Sequence, residues 1–181
     1  LWTFLLLAGC ATTDPAAVHD YLDEQTAATV TVGGTGTVFG RARTEYAINA
    51  RDYFTVIPVD VNRGGTHVLY FYCYQWSTID RPNASDRASG FEIVADGRQI
   101  PLTPASASLR TLGFGQYPVE PPALNALPLV AVTTREVLSF LAQAKEVSVV
   151  ATRNGLSERY ELWTDQRSAV EAFLQEVPAV R

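Results

Sequence analysis

The amino-acid sequence predicts a mainly β protein, an antiparallel β-sandwich or bent sheet with two helices near the C-terminus. Three pairs of apolar runs rich in β-branched and aromatic residues flank short glycine-containing turns, which is the pattern of β-hairpins. Apolar residues recur at helical spacing in two segments after residue 133. The chain has 181 residues, 47% of them apolar and 18% charged, which fits one domain with a substantial core.

The first ten residues, LWTFLLLAGC, are an apolar run that closes on two small residues and a cysteine. Such a run is too short to span a bilayer, which takes about 20 apolar residues, and it matches the end of a secretory signal. Leu7-Ala8-Gly9-Cys10 resembles the lipobox of bacterial lipoproteins. The resemblance implies that residues 1–9 are the remnant of a signal peptide and that Cys10 is acylated. Cys10 would then bind membrane lipid through fatty acyl chains such as palmitate.

The same resemblance implies that residues 10–17 are a lipidated tether. Length, composition and the hairpin patterns predict that residues 18–181 form a single globular β-rich domain. Ala11 stands where aspartate favours inner-membrane retention in enteric-type lipoproteins, so we expect a cell-envelope location at the outer membrane, facing the periplasm. Cys73 is the only other cysteine, so we expect no intramolecular disulfide in the mature chain.

Composition and motifs exclude several function classes. The net charge is −5 and no basic cluster occurs, so we expect no nucleic-acid partner, which would need such a cluster to displace counterions. His19 and His67 lie 48 positions apart, without a G-x-S-x-G nucleophile motif or clustered metal ligands. We therefore expect no enzyme activity, no catalytic residues, no metal site and no cofactor. Only the fold decides whether the carboxylates of Glu45, Asp52 and Asp60 meet.

The first strand pair is expected on either side of Gly33-Gly-Thr-Gly36. No lysine follows these glycines, so the segment does not match a phosphate-binding P-loop. A tight turn between strands at Thr29–Val32 and Thr37–Gly40 accounts for the glycines instead.

The longest predicted hairpin joins Tyr53–Val61 to His67–Trp76 through the turn Asn62–Gly65. Pro58 lies within the first of these strands. Because proline has no N–H to donate to a hydrogen-bond ladder, this strand is expected to be bulged or to lie at a sheet edge there.

Alternating positions divide the second strand of this hairpin into two faces. One face, with Cys73 at its end, is predicted to lie in the core. The other face carries an aromatic row formed by Tyr70, Tyr72, Tyr74 and Trp76. Exposed, this row would contact a small ligand or a glycan, because its rings combine flat apolar area with hydrogen-bonding groups. The alternative is a central strand whose tyrosines are covered by the helices.

Two later hairpins turn at Asp96-Gly97 and Asn154-Gly155, dipeptides that suit type I′ turns. These turns fix the strand registers, which place Ile93 opposite Ile100, Phe91 opposite Leu102 and Val149 opposite Tyr160.

Two helices are expected in the last third of the chain. Thr133-Thr-Arg-Glu136 has the spacing of a capping box for the first, and Thr164 or Asp165 caps the second, which Pro178 stops. Before them, the proline-rich residues 116–128 are expected to wrap across the surface. The apolar helix faces are predicted at Val137, Leu141 and Ala144, and at Val170, Phe173, Leu174 and Val177.

The sequence favours a non-enzymatic cell-envelope lipoprotein that binds or scaffolds an envelope partner, with an envelope protein as the expected partner besides membrane lipid. One alternative is a lipid-anchored binder of a small ligand or glycan through the Tyr70–Trp76 face. An envelope hydrolase is the less favoured alternative. The sequence gives no indication of the oligomeric state.

Overall fold

The computed structural model describes residues 17–79 and 87–178. The predictions for the signal-peptide remnant, for Cys10 and for the tether up to residue 16 lie outside these ranges. The described chain contains, in order, β1 (Val18–Asp23), β2 (Ala28–Gly33), β3 (Thr37–Ala42), β4 (Arg51–Arg63), β5 (Thr66–Ser77), β6 (Gly90–Ala95), β7 (Arg98–Leu102), α1 (Leu109–Leu112), β8 (Leu127–Val132), α2 (Arg135–Gln143), β9 (Val147–Arg153), β10 (Leu156–Thr164) and α3 (Arg167–Glu176).

The predicted fold class is confirmed, since the strands pair antiparallel and α2 and α3 lie near the C-terminus. The hairpin of β4 and β5 is the centre of the sheet. Its register is unbroken from the pair Asp52–Ser77 to the pair Arg63–Thr66. β8 pairs with the outer side of β5, while the other side of β4 pairs with β2 along one half and with β3 along the other.

The glycine-rich segment Gly33–Gly36 does not reverse the chain, so the predicted tight turn is wrong. β2 and β3 both run antiparallel to β4 on the same side. Val32 of β2 pairs with Val59 and Thr37 of β3 pairs with Val56, so the chain advances five residues while its partner strand β4 advances only three. Pro58 lies in the stretch of β4 that this interruption leaves unpaired, as expected for a residue without an N–H. A Cβ on Gly33 would lie 2.5 Å from the Pro58 ring, so glycine is needed for this approach.

Beyond β3 the sheet continues through β10, β9, β6 and β7. The registers predicted for the two later hairpins are confirmed, and both turns have positive φ at their first residue, 46° at Asp96 and 51° at Asn154. This agreement shows that the turn dipeptides fix the pairing of these strands.

The central hairpin separates two hydrophobic cores. The first core lies between the sheet and helices α2 and α3 and contains Cys73, as predicted, together with Phe54, Phe71, Tyr160 and Phe173. The second core lies on the opposite face, where α1 and the chain that follows it pack against the sheet. It includes Val30, Val59, Tyr70, Tyr72, Tyr74 and Phe114.

Both predicted helices are present, but their first residues differ from the prediction. Thr134, not Thr133, is the N-cap of α2, and its Oγ1 accepts a hydrogen bond from the backbone N–H of Val137. The N-cap of α3 is Gln166, while Asp165 one position earlier accepts from the backbone N–H of Arg167.

Candidate functional site

Most of the predicted aromatic row is buried. Tyr70 is 6% exposed, Tyr72 is fully buried and Tyr74 is 1% exposed. Phe114 packs edge-on against Tyr70 and Tyr72, and the Tyr74 hydroxyl donates to the carbonyl of Val119 at 2.7 Å. These three tyrosines therefore lie in a covered central strand, which was one of the two interpretations of the sequence, and they do not form the open ligand-contacting face of the other. The covering layer is α1 and the chain after it, whereas α2 and α3 lie on the opposite face.

Asp23 fastens this covering layer to the sheet. Its buried carboxylate accepts hydrogen bonds from the backbone N–H groups of Gln25 and Thr26 in its own turn, and from those of Gly115 at 2.6 Å and Gln116 at 3.2 Å. Burial alone would raise the pKa of Asp23, but these backbone hydrogen bonds outweigh it and hold the pKa below its ordinary value. A charged carboxylate at this position thus joins the β1–β2 turn to the segment that seals the tyrosines.

Trp76, the last residue of the predicted row, is partly exposed and packs against the second core. Its ring stacks on Tyr53 with centroids 4.2 Å apart, and its Nε1–H donates to Thr55 Oγ1 at 3.1 Å. Trp163, which is 53% exposed, meets Tyr53 edge-on at 5.9 Å, and the Arg51 guanidinium lies 4.5 Å from its ring centroid. We call Tyr53, Trp76 and Trp163 the aromatic strip.

Two local features of the backbone place Trp163 in the strip. The pairing of β10 with β3 shifts register between Leu162 and Thr164, and Trp163 is the extra residue. Gly40 lies beneath Tyr53 and Trp163, since a Cβ built on it would be 3.2 Å from the Tyr53 ring and 3.5 Å from Trp163 Cβ. The absence of a side chain at Gly40 lets the two aromatic residues approach each other across β3.

The aromatic strip lies at one end of a larger exposed sheet surface. The residues of β3, β6, β9 and β10 that point away from the first core are largely partly or fully exposed, with Ser148 as a buried exception. Strand pairing aligns one row of them with the strip: Val94, Ser148, Glu161, Gly40, Tyr53 and Trp76. We call the following residues the open face: Val38, Gly40, Glu92, Val94, Val150, Thr152, Arg159 and Glu161.

A cluster of charged side chains closes one end of the first core. Arg43 is 6% exposed, and its Nε lies 2.5 Å from an Asp52 carboxylate oxygen while its Nη2 lies 2.8 Å from Glu158. Glu158 also accepts from Arg153 at 2.8 Å and contacts Arg41. Burial alone would raise the pKa of Glu158, but hydrogen bonds from Arg153 and Arg43 lower it on balance. These opposite charges tie β3, β4, β9 and β10 together, which is a structural role.

The three carboxylates whose proximity the sequence could not decide lie in two separate places. Glu45 joins the charged cluster through Arg43 at 3.3 Å, and Asp52 belongs to the same cluster. Asp60 lies elsewhere, buried beneath His67, whose Nδ1 is 2.6 Å from its Oδ2. Burial raises the pKa of Asp60, and the contact with His67 opposes that rise.

The pairing of His67 with Asp60 was not predicted from the sequence. A signal was present, because Asp60 interrupts an apolar strand and a buried carboxylate requires a partner. His67 also lines a hollow of about 300 Å³ together with Val132, Thr133 and Glu136. Among the described residues, no group of three or more His, Cys, Asp or Glu side chains is arranged to hold a metal ion.

Within residues 17–79 and 87–178, no helix is both long and apolar enough to cross a membrane. No protein-family model, no curated protein and no solved structure matches the chain.

Proposed function

We propose that this protein is a non-enzymatic binding lipoprotein of the bacterial cell envelope, which binds an envelope partner on the open face. Acylated Cys10 would hold it on membrane lipid, at the outer membrane and facing the periplasm. The observation that carries the binding role is the open face itself, a sheet surface that ends in the aromatic strip and that no helix covers within residues 17–79 and 87–178.

The composition of this surface supports a contact role. Tryptophan, tyrosine and arginine are the residues that most often dominate binding energy, and Trp76, Tyr53, Trp163 and Arg51 occur together here. Their rings are held by stacking and by a hydrogen bond to Thr55, so little side-chain entropy would be lost when a partner binds. On the other side of the same sheet the residues form the first core, so among the described residues the open face is the exposed side of these strands.

The anchor is tested by metabolic labelling with a palmitate analogue. We expect label on the wild-type protein and on Cys73→Ala, and no label on Cys10→Ala, because only the lipobox cysteine is acylated. Label that persists on Cys10→Ala would refute the assignment of the anchor.

The binding role is tested by affinity capture from envelope extracts with the lipidated protein as bait. Val150→Glu introduces a charge on the open face, and Leu156→Glu is the matched control, since Leu156 is 72% exposed at a turn outside that face. With both variants melting near the wild-type temperature, we expect Val150→Glu to lose the captured component and Leu156→Glu to retain it. Equal capture by both variants would contradict binding through the open face.

A further inference from the structure

We propose that the aromatic strip is a glycan subsite, in which Trp76 and Trp163 stack on sugar rings and charged side chains of the open face bind the hydroxyl groups. This inference rests on the proposed binding function and names the chemical class of the partner.

The strip presents two indole rings that are inclined to each other, since the Tyr53 ring lies at 20° to that of Trp76 and at 69° to that of Trp163. Each indole contacts Tyr53, so the centroids of Trp76 and Trp163 are no more than about 10 Å apart, close to the length of a disaccharide. Trp163 is half-exposed and Trp76 partly exposed, while Tyr53 between them is 7% exposed. Two accessible rings on either side of a buried support would each contact a different sugar unit of one glycan.

The ring positions are fixed before any ligand binds. Trp76 donates to Thr55, Tyr53 is stacked on Trp76, and Arg51 lies over Trp163. Rigid aromatic side chains lose little conformational entropy on binding, which favours contact with a weakly held ligand such as a neutral sugar.

The polar groups of the open face suit the hydroxyl groups of a sugar. A pyranose ring has an apolar face of C–H groups and a rim of hydroxyls that both donate and accept hydrogen bonds. Glu161 lies in the same cross-strand row as Tyr53 and Trp76, and Arg159 and Glu92 lie in the next row. Carboxylate and guanidinium groups are strong acceptors and donors for such hydroxyls.

The same charges argue against a protein as the occupant of this surface. A stable protein interface buries about 800 Å² on each partner, and its centre is depleted of charged residues. Here the acidic residues Glu92 and Glu161, of a type depleted from protein interfaces, lie among the apolar residues of the open face. The row that ends in the strip crosses six strands, about 24 Å at the usual strand spacing, so an extended polymer would lie along it.

The test uses detergent-solubilised lipoprotein and three probes: the tetrasaccharide of N-acetylglucosamine, cellotetraose and maltotetraose. Of the three tryptophans in the sequence, Trp2 lies in the predicted signal peptide, so Trp76 and Trp163 report on the strip by fluorescence. We expect a saturable change in fluorescence with at least one probe, and a matching dissociation constant by calorimetry.

The matched variants are Trp163→Ala and Tyr117→Ala. Both residues are 53% exposed aromatics, but Tyr117 lies on the covering layer, against Tyr74. We expect Trp163→Ala to weaken binding by roughly tenfold or more, since an aromatic anchor is removed, Tyr117→Ala to leave it unchanged, and Trp163→Phe to retain most of it.

Three results would overturn the glycan inference: no saturable binding of any probe, equal binding by Trp163→Ala and wild type, or equal loss with Tyr117→Ala. Affinity capture from envelope extracts, compared between wild type and Val150→Glu, distinguishes a failure of the glycan inference from a failure of the proposed binding function. If capture depends on Val150 while every probe fails to bind, the binding function stands and its partner is not a glycan. If capture shows no dependence on Val150, the proposed binding function itself fails.

Discussion

Three glycine-to-alanine substitutions test the interruption between β2 and β3, because they separate steric contact from backbone strain. A Cβ on Gly33 would lie 2.5 Å from Pro58 Cγ and 3.0 Å from Phe173 Cβ, and the φ of Gly33 is not positive. Gly33→Ala therefore reports on steric contact alone. We expect a loss of about 2 kcal/mol in the free energy of unfolding, within the range for overpacking a core.

Gly97 and Gly36 complete the comparison. Gly97 has φ of 79° and no atom within 4 Å of its added Cβ, so Gly97→Ala reports on backbone strain alone, about 1 kcal/mol. Gly36 combines a φ of 94° with a Cβ position 2.5 Å from Ile57 Cγ1 and 2.8 Å from the Val56 carbonyl oxygen. Both costs then apply, and we expect Gly36→Ala to lose about 3 kcal/mol.

Equilibrium urea unfolding of the three variants measures these free energies. The predicted order of destabilisation is Gly36→Ala, then Gly33→Ala, then Gly97→Ala. If Gly36→Ala and Gly33→Ala were no less stable than Gly97→Ala, the glycines would not lie against Ile57 and Pro58, and the description of β2 and β3 as two partners of one strand would be wrong.

Further predictions concern buried polar groups and the thiol. Arg43→Met removes the guanidinium that lies against Asp52, and we expect the free energy of unfolding in urea to fall by about 3–5 kcal/mol. Arg159→Met, on the open face, is the control and is expected to change this free energy by less than about 0.5 kcal/mol. Equal effects of the two variants would contradict a buried charged cluster. Because the pKa of Asp23 is lower in the folded protein, its carboxylate stabilises the fold above the ordinary pKa of about 4, and that stability is lost as the pH falls through the folded pKa. Asp23→Asn is therefore expected to be less stable at pH 7 and to lose less stability between about pH 5 and pH 2, and an unchanged acid profile would refute this. Burial raises the pKa of Cys73, so a thiol reagent is expected to react with it in urea and not in the native protein; rapid native reaction would show that this side of the core is open.

The parts of the fold that sequence predicted are those set by local chemistry. Asp96-Gly97 and Asn154-Gly155 have the backbone conformations of their turn type, so the pairings around them followed. The burial of Cys73 followed from the two-residue alternation of β5.

The misses have a common physical origin in long-range packing. β8 lies in a proline-rich stretch that looked irregular. Pro128 is nevertheless tolerated because β8 pairs with β5 on one side and, in the part of the chain that the structure describes, with no strand on the other. The glycines before β3 looked like a turn because sequence does not show that β2 and β3 share one partner strand.

The candidate site shows the same limit. Trp76 was singled out from its own strand, but its neighbours Tyr53 and Trp163 come from two other strands, and a register shift at Trp163 brings them together. The cover over Tyr70 to Tyr74 depends on Phe114 and on the hydrogen bonds of Asp23, contacts between residues far apart in the chain. Neither arrangement has a local sequence signal.

Site-specific photo-crosslinking in intact cells tests most directly whether the open face binds an envelope component. A photoreactive amino acid replaces Arg159 on the open face or, as the control, Glu171, which is exposed on α3. We predict a discrete crosslinked adduct from position 159 and none from position 171. An adduct from position 171 with none from position 159 would contradict the proposal and place the contact surface on the helical side of the domain.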